Sequence, residues 1–183
     1  ADVLEEMDPD DAADLLADLE PNDREQLLDL MEDDEARDVI KLLTYPEDSA
    51  GGVMSTEYTT IPQGLTVAEA LDYVRRSAEA HDDETMYYIY IVDEENRLSG
   101  VTSLRDLVMA PPDSPVAAIS QERPVTVDVL TPQTEVARVI AKYNLLAVPV
   151  VDEQGVFHGI VTVDDAIDAI IPTAWKKRLP RFY

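Results

Sequence analysis

The sequence predicts an α+β chain. An all-α superhelical stretch at residues 1–44 leads into two β-α-β-β-α repeats, at 45–112 and 113–171, and a basic aromatic tail at 172–183 closes it. Three observations predict this. Apolar residues recur every twelve positions in the first region. A nineteen-residue pattern, 89–107, returns at 148–166. No run of apolar residues is long enough to cross a bilayer as a helix, so the 45% hydrophobic content serves packed cores.

The first region is read from its period. Met7, Leu19 and Met31 align, as do Leu15, Leu27 and Val39, then Leu16, Leu28 and Ile40. Pro9 and Pro21 hold matching places, each just after an acid. The pattern predicts short helices of two or three turns, with Asp8 capping the first and Pro9 in its first turn. Short helices at fixed spacing stack on their neighbours into a solenoid. Three units beginning at Ala1 read as a piece of something longer.

Charge sets this region apart. The whole chain has 39 acids against 14 bases, a formal −25. Residues 1–50 hold 19 acids and 3 bases, whereas 172–183 hold four bases and no acid. So acidic a surface repels nucleic acid and attracts cations and basic partners. Asp8, Asp10 and Asp11 suit a helix start, where the macrodipole favours each by about 0.3–1 kcal/mol. Asp14 and Asp18 lie one and two turns on from Asp10. Like charges at that spacing cost a few tenths of a kcal/mol per pair. A solvated acidic face and a cation site both fit.

In the second region, "IYIVDEENRLSGVTSLRDL" matches "VPVVDEQGVFHGIVTVDDA". Asp93 aligns with Asp152, Gly100 with Gly159, Ser103 with Thr162 and Asp106 with Asp165. Each copy reads as a strand, a turn, a second strand and a helix. The amphipathic helices "TVAEALDYVRR" (66–76) and "TEVARVIAKYN" (134–144) precede them. The first copy carries about ten more residues between helix and strand, placed in "EAHDDET" (79–85). "AGG" (50–52) has no phosphate-loop pattern and reads as a flexible joint. His81 and His158 lack metal-ligand spacing and read as solvated. Cysteine is absent, and no Ser/His/Asp arrangement suggests catalysis.

The β-α-β-β-α order ending in Gly-hydrophobic-x-Ser/Thr-x-x-Asp resembles a tandem pair of CBS domains. With "YPEDSAGGVMSTEY" (45–58), the acidic helical repeat before it and "GIVTVDDAID" after it, the chain resembles the cytosolic part of MgtE-type magnesium channels. That resemblance implies acids of the helical domain facing acids of the CBS pair, with Mg²⁺ between them. On this chain the matching positions are Asp10 and Asp14 on one side and Asp165 and Asp168 on the other, with Asp164 a secondary candidate. It also implies a homodimer through the CBS helices, an apolar patch on 66–76 and 134–144, a cytoplasmic location, and a transmembrane channel domain beyond the segment.

A rival reading is a free-standing CBS sensor that binds ATP or AMP. Asp106 would hold ribose hydroxyls, Arg105 phosphate, and Tyr88 the base. Asn144 and Leu145 depart from the pattern seen in ATP-binding relatives. Ser103 with Asp106 also fits a plain helix cap. The tail, "IPTAWKKRLPRFY", departs from the family too. Pro172 ends the helix before it, and the segment suits either an anionic membrane surface or the protein's own acids.

Overall fold

The computed structural model describes Leu4 and residues 7–78 and 87–170. The expectations for 79–85, His81 and the tail lie outside the described residues.

The twelve-residue period is realised as three helices: α1 (Pro9–Ala17), α2 (Pro21–Leu28) and α3 (Asp33–Leu42). Asp8, Glu20 and Glu32 hold the N-cap positions, and Pro9 and Pro21 open their helices. The expected capping by Asp8 is corrected: its side chain makes no cap hydrogen bond, and its carbonyl accepts from Ala12 N at 2.9 Å. α1 packs on α3 through Ala12, Ala13, Leu16, Val39 and Leu42. α2 buries no residue fully, though Leu27 and Leu28 lean on the same cluster. The aligned positions are therefore unequal: Leu16 is fully buried while Ile40 is 47% exposed, and Val39 is buried while Leu15 is 45% exposed. Arg24 is spent on backbone. It donates to the carbonyls of Leu16 (2.9 Å), Ala17 (3.0 Å) and Leu19 (3.2 Å), closing the end of α1.

Each repeat forms a three-stranded sheet. The first comprises β1 (Thr59–Pro62), α4 (Val67–Ala78), β2 (Tyr88–Val92), β3 (Leu98–Ser103) and α5 (Leu104–Met109). The second comprises β4 (Val127–Asp128), α6 (Gln133–Tyr143), β5 (Ala147–Val151), β6 (Phe157–Thr162) and α7 (Val163–Ile170). In both, the opening strand is parallel to the middle one, and the middle and last strands form an antiparallel hairpin. The register repeats to the residue: Tyr88 faces Ser103 as Ala147 faces Thr162, and both hairpins shift register before the middle strand's last residue.

The hairpin tips meet head to head. Leu98 N donates to Gly155 O (3.1 Å) and Phe157 N to Asn96 O (2.8 Å), so equivalent residues trade equivalent bonds about a pseudo-twofold axis. Asn96 and Gly155 hold the matching left-handed turn positions, φ 58° and 80°. Behind the tips Tyr90, Phe157 and Ile160 form a buried cluster, with the Tyr90 and Phe157 rings 4.9 Å apart.

The segments preceding the repeats cross over. Residues 48–55, ahead of β1, bond to the second repeat: Gln133 N to Asp48 O, Ala50 N to Thr131 O, and Ser55 reciprocally with Ile160. Residues 114–121, ahead of β4, bond to the first repeat in the same register: Val67 N to Ser114 O, Val116 N to Leu65 O, and Gln121 reciprocally with Val101. Each repeat is thus strapped by the segment that leads into the other.

This overturns the flexible joint. Ala50 and Met54 are fully buried and Gly51 N donates to Val129 O (2.8 Å). A β-carbon on Gly51 would lie 2.5 Å from the Tyr45 ring, and one on Gly52 would lie 2.3 Å from Pro46 O. These glycines serve close packing, not mobility. The strap also joins the helical region to the second repeat, since residues of both share one apolar cluster running from Leu16 to Val161 and Ala166. The first repeat has its own core around Ile61, Val67, Ile89 and Leu107.

Candidate functional site

The boundary between α1 and α7 brings two of the expected acids together. Asp10, in the first turn of α1, is half-buried, and its Oδ1 is buried without a hydrogen-bond partner. Its pKa is pushed up to about 7 from 3.8. Burial is the largest cause, followed by the negative field of Asp165, with Asp11 and Asp8 adding to it. The carboxyl of Asp165, at the start of α7, is raised too, first by burial and then by Asp164 and Asp11. The Thr162 hydroxyl donates to Asp165 Oδ2 and works the other way.

Asp11 is the group that sequence reasoning missed. It was assigned to the helix dipole, yet its field falls on both Asp10 and Asp165. Asp14 lies elsewhere, exposed beside Arg24, Tyr45, Glu47 and Gly52. Asp164 is exposed and lines a different cavity. Asp168 is a helical position of α7, but its side chain lies outside the described residues. Among the described residues, no three His, Asp or Glu side chains come close enough to share a metal.

The nucleotide candidates are divided. Tyr88 lines a cavity of about 480 Å³ between the repeats, with Tyr87, Leu146, Ala147, Thr162 and Asp164. That volume is in the range of small-molecule sites. Arg105 and Asp106 do not line it. Both are exposed at the start of α5, where Ser103 Oγ donates to Asp106 Oδ2 (2.7 Å) and accepts from Asp106 N (3.0 Å). Asp106 therefore takes part in a cap interaction. Its counterpart Asp165 makes the same one with Thr162, but half-buried.

His158 is not a solvated turn residue. It sits in β6, half-buried, with Nε2 3.0 Å from Asp152 Oδ2 and Nδ1 3.4 Å from the Tyr45 hydroxyl. Its carbonyl accepts from Lys41 Nζ at 2.7 Å. The ring holds the Asp152 carboxyl below its usual pKa, and burial pulls the Lys41 ammonium down. The end of the helical region is thus pinned to the second repeat by polar bonds that use no acid–acid contact. The expected apolar patch on 66–76 and 134–144 reduces to Tyr73 and Tyr143. Other exposed apolar side chains near these helices are Val108 and Met109 on α5, Leu130 before α6 and Leu146 after it.

The MgtE intracellular N domain matches residues 1–48 and the CBS domain matches 50–113 and 116–172. The magnesium transporter MgtE of Thermus thermophilus is 50% identical over 133 residues, 73% of this chain and 29% of that protein. The Bacillus subtilis transporter of the same name is 44% identical over 171 residues, 93% of this chain and 38% of that protein. The chain therefore spans well under half the length of these relatives. Among solved structures, the soluble part of a magnesium transporter superposes with a TM-score of 0.85 at 43% identity, covering 92% of this chain and 65% of that one. The cytosolic domain of the Mg²⁺ channel MgtE in complex with ATP gives 0.86 at 46%, covering 92% and 68%. The chain belongs to the CBS-domain family, as a CBS pair directly behind an MgtE intracellular N domain.

Proposed function

We propose that the chain is a Mg²⁺-sensing regulatory module on the cytosolic side of an MgtE-type magnesium channel, and not an enzyme. The observation that carries this is the buried, unpartnered oxygen of Asp10 facing the field of Asp165 across the α1–α7 boundary. Burial first, and the field of neighbouring acids second, disfavour the ionised form of both carboxyls. A divalent cation removes that penalty. Mg²⁺ keeps several waters and takes one or two carboxylates, so a site of Asp10 and Asp165, with Asp11 nearby, suits it without a third ligand in direct contact. Asp164 adds its field at Asp165, while Asp14, beside Arg24 and Tyr45, would take no direct part.

Binding favours the closed arrangement by RT ln(1 + [L]/Kd), about 2.7 kcal/mol at a hundredfold excess over Kd. A full switch from 1:99 to 99:1 needs about 5.5 kcal/mol, so more than one such site must act. The test is a Mg²⁺ titration at constant ionic strength, followed by protease sensitivity and X-ray scattering, with a monovalent-salt control for screening. Protection should rise with Mg²⁺ and be lost in Asp10→Asn/Asp165→Asn. Equal protection in that variant sinks the reading.

A second reading rests on a separate observation. A relative at 46% identity is solved with ATP, and this chain has a cavity of about 480 Å³ at Tyr88. ATP or AMP would bind there against Tyr88, with Arg105 and Asp106, which do not line the cavity, taking no direct part. Calorimetric titration with and without Mg²⁺ tests it, and Tyr88→Ala should weaken binding at least tenfold. Homodimerisation through the exposed Val108 and Met109 is a further expectation, checked by sedimentation of Met109→Glu.

A further inference from the structure

A crevice of about 1030 Å³ opens on the first repeat, beside β1 and β2 and away from both sites above. Its floor is apolar, from Ile61, Ile91 and Val116, and its rim carries Asp93, Glu94 and Glu122, with Tyr73 at one side. The pseudo-twofold symmetry shows what this place is for. In the second repeat Asp93 becomes Asp152, Ser99 becomes His158, Val116 becomes Ala50 and Ala117 becomes Gly51. Those are the residues that hold Tyr45: its ring lies on Gly51, its hydroxyl meets His158, and His158 is held by Asp152. One copy of the fold's aromatic seat is filled by the end of the helical region, and the other stands open.

We propose that the crevice on the first repeat is a docking seat for an aromatic side chain on a basic segment, and that the segment is this chain's own residues 172–183. Shape comes from the crevice itself, whose floor of Ile61, Ile91 and Val116 is apolar and whose side is Tyr73; Ala117 stands where the matching seat has Gly51, so a ring here lies farther out than Tyr45 does there. Charge comes from the rim, where Arg97 answers Asp93 at 3.7 Å and Glu94 and Glu122 have no ion pair among the described residues. The segment supplies what that rim asks for: Lys176, Lys177, Arg178 and Arg181 beside Trp175, Phe182 and Tyr183. An aromatic ring on the apolar floor beside Tyr73, with a cation at the acidic rim, combines burial with charge pairing. Reach is sufficient: residues 171–183 extend to roughly 43 Å, comparable with the diameter implied by a radius of gyration of about 16 Å for a chain this long.

The chain has no cysteine, which allows a clean test. Ala117, exposed on the crevice wall, and Tyr183 are replaced by cysteine, and oxidation is followed by mass and gel mobility in chelator, so that the acid pair at α1–α7 plays no part. A disulfide forms only if the two α-carbons come within about 7 Å. The expected result is an intramolecular bond formed at least tenfold faster than in a control pairing Tyr183→Cys with Glu25→Cys on exposed α2. Neutralising the rim with Asp93→Asn, Glu94→Gln and Glu122→Gln should remove the preference. Equal rates in both pairs, a preference that survives neutralisation, bonding only between molecules, or a segment that binds anionic vesicles and leaves Ala117→Cys unbonded would each overturn the proposal.

Discussion

The two repeats share strand order, register and strap geometry, yet they do opposite things with the same seat. In the second repeat it is occupied: Tyr45, Gly51, His158 and Asp152 form a bonded stack, and Lys41 adds a pin to the His158 carbonyl. In the first it is an open crevice with an acidic rim. The signature acids diverge likewise. Asp106 is exposed, whereas Asp165 is half-buried against the helical region and carries a raised pKa. A duplicated fold has thus been specialised at one copy by what docks on it. The backbone was kept, and the occupant changed.

Matched substitutions test that difference. The largest effect should come from Phe157, which is 1% exposed between the repeats. Phe157→Ala should lower unfolding stability by about 3–5 kcal/mol in urea titrations at unchanged m-value, and the half-buried counterpart Leu98→Ala by visibly less. Next come the strand glycines that face the straps, Gly159 in β6 and Gly100 in β3. A β-carbon at Gly159 would lie 2.7 Å from Ser55 O, a backbone atom, while at Gly100 the nearest atom is Ser120 Oγ at 3.3 Å. Gly159→Ala should cost about 1–3 kcal/mol and Gly100→Ala well under that. Equal costs would mean that the two straps are not differently seated.

The third prediction concerns pH in chelator. The Asp10 carboxyl has a folded-state pKa of about 7 against 3.8 unfolded. A raised carboxyl contributes stability that is fully present below the unfolded value and lost as pH rises through the folded one. Stability should therefore rise by about 2 kcal/mol from pH 7.5 to 5, and Asp10→Asn should flatten that slope. The Asp152 carboxyl is depressed by His158, so its contribution has the opposite sign and is lost only as pH falls below its ordinary value. The smallest effect is Tyr45→Phe, which removes a 3.4 Å contact to His158 and should lower stability by about 0.5–1 kcal/mol.

Much of this was legible in the residues. Helix starts at 9, 21 and 33 follow from proline and acid placement, because local chemistry fixes them. The equal hairpin registers follow from the aligned Asp93/Asp152 and Gly100/Gly159, since turn type sets register. The meeting of Asp10 with Asp165 followed from the family resemblance and not from periodicity. What was hidden depends on distant pairings. Ser55 with Ile160 is a one-residue bridge between segments about a hundred positions apart, and no local pattern marks it. The glycines of "AGG" looked like a hinge because composition cannot separate a glycine that frees the backbone from one that admits a ring. No local pattern marks Arg24 as the residue that closes α1, because its partners are backbone carbonyls seven and eight positions back.

The crossed straps make sequence boundaries and mechanical boundaries disagree. A cut in the chain between residues 113 and 116 would give two fragments, each carrying the strap that its partner needs and lacking its own. Neither half would then be self-sufficient, and two cut chains, or two intact ones during folding, could satisfy the same bonds by exchange. Reassembly of mixed fragments, or a swapped dimer after refolding at high concentration, is the natural failure mode of such a plan.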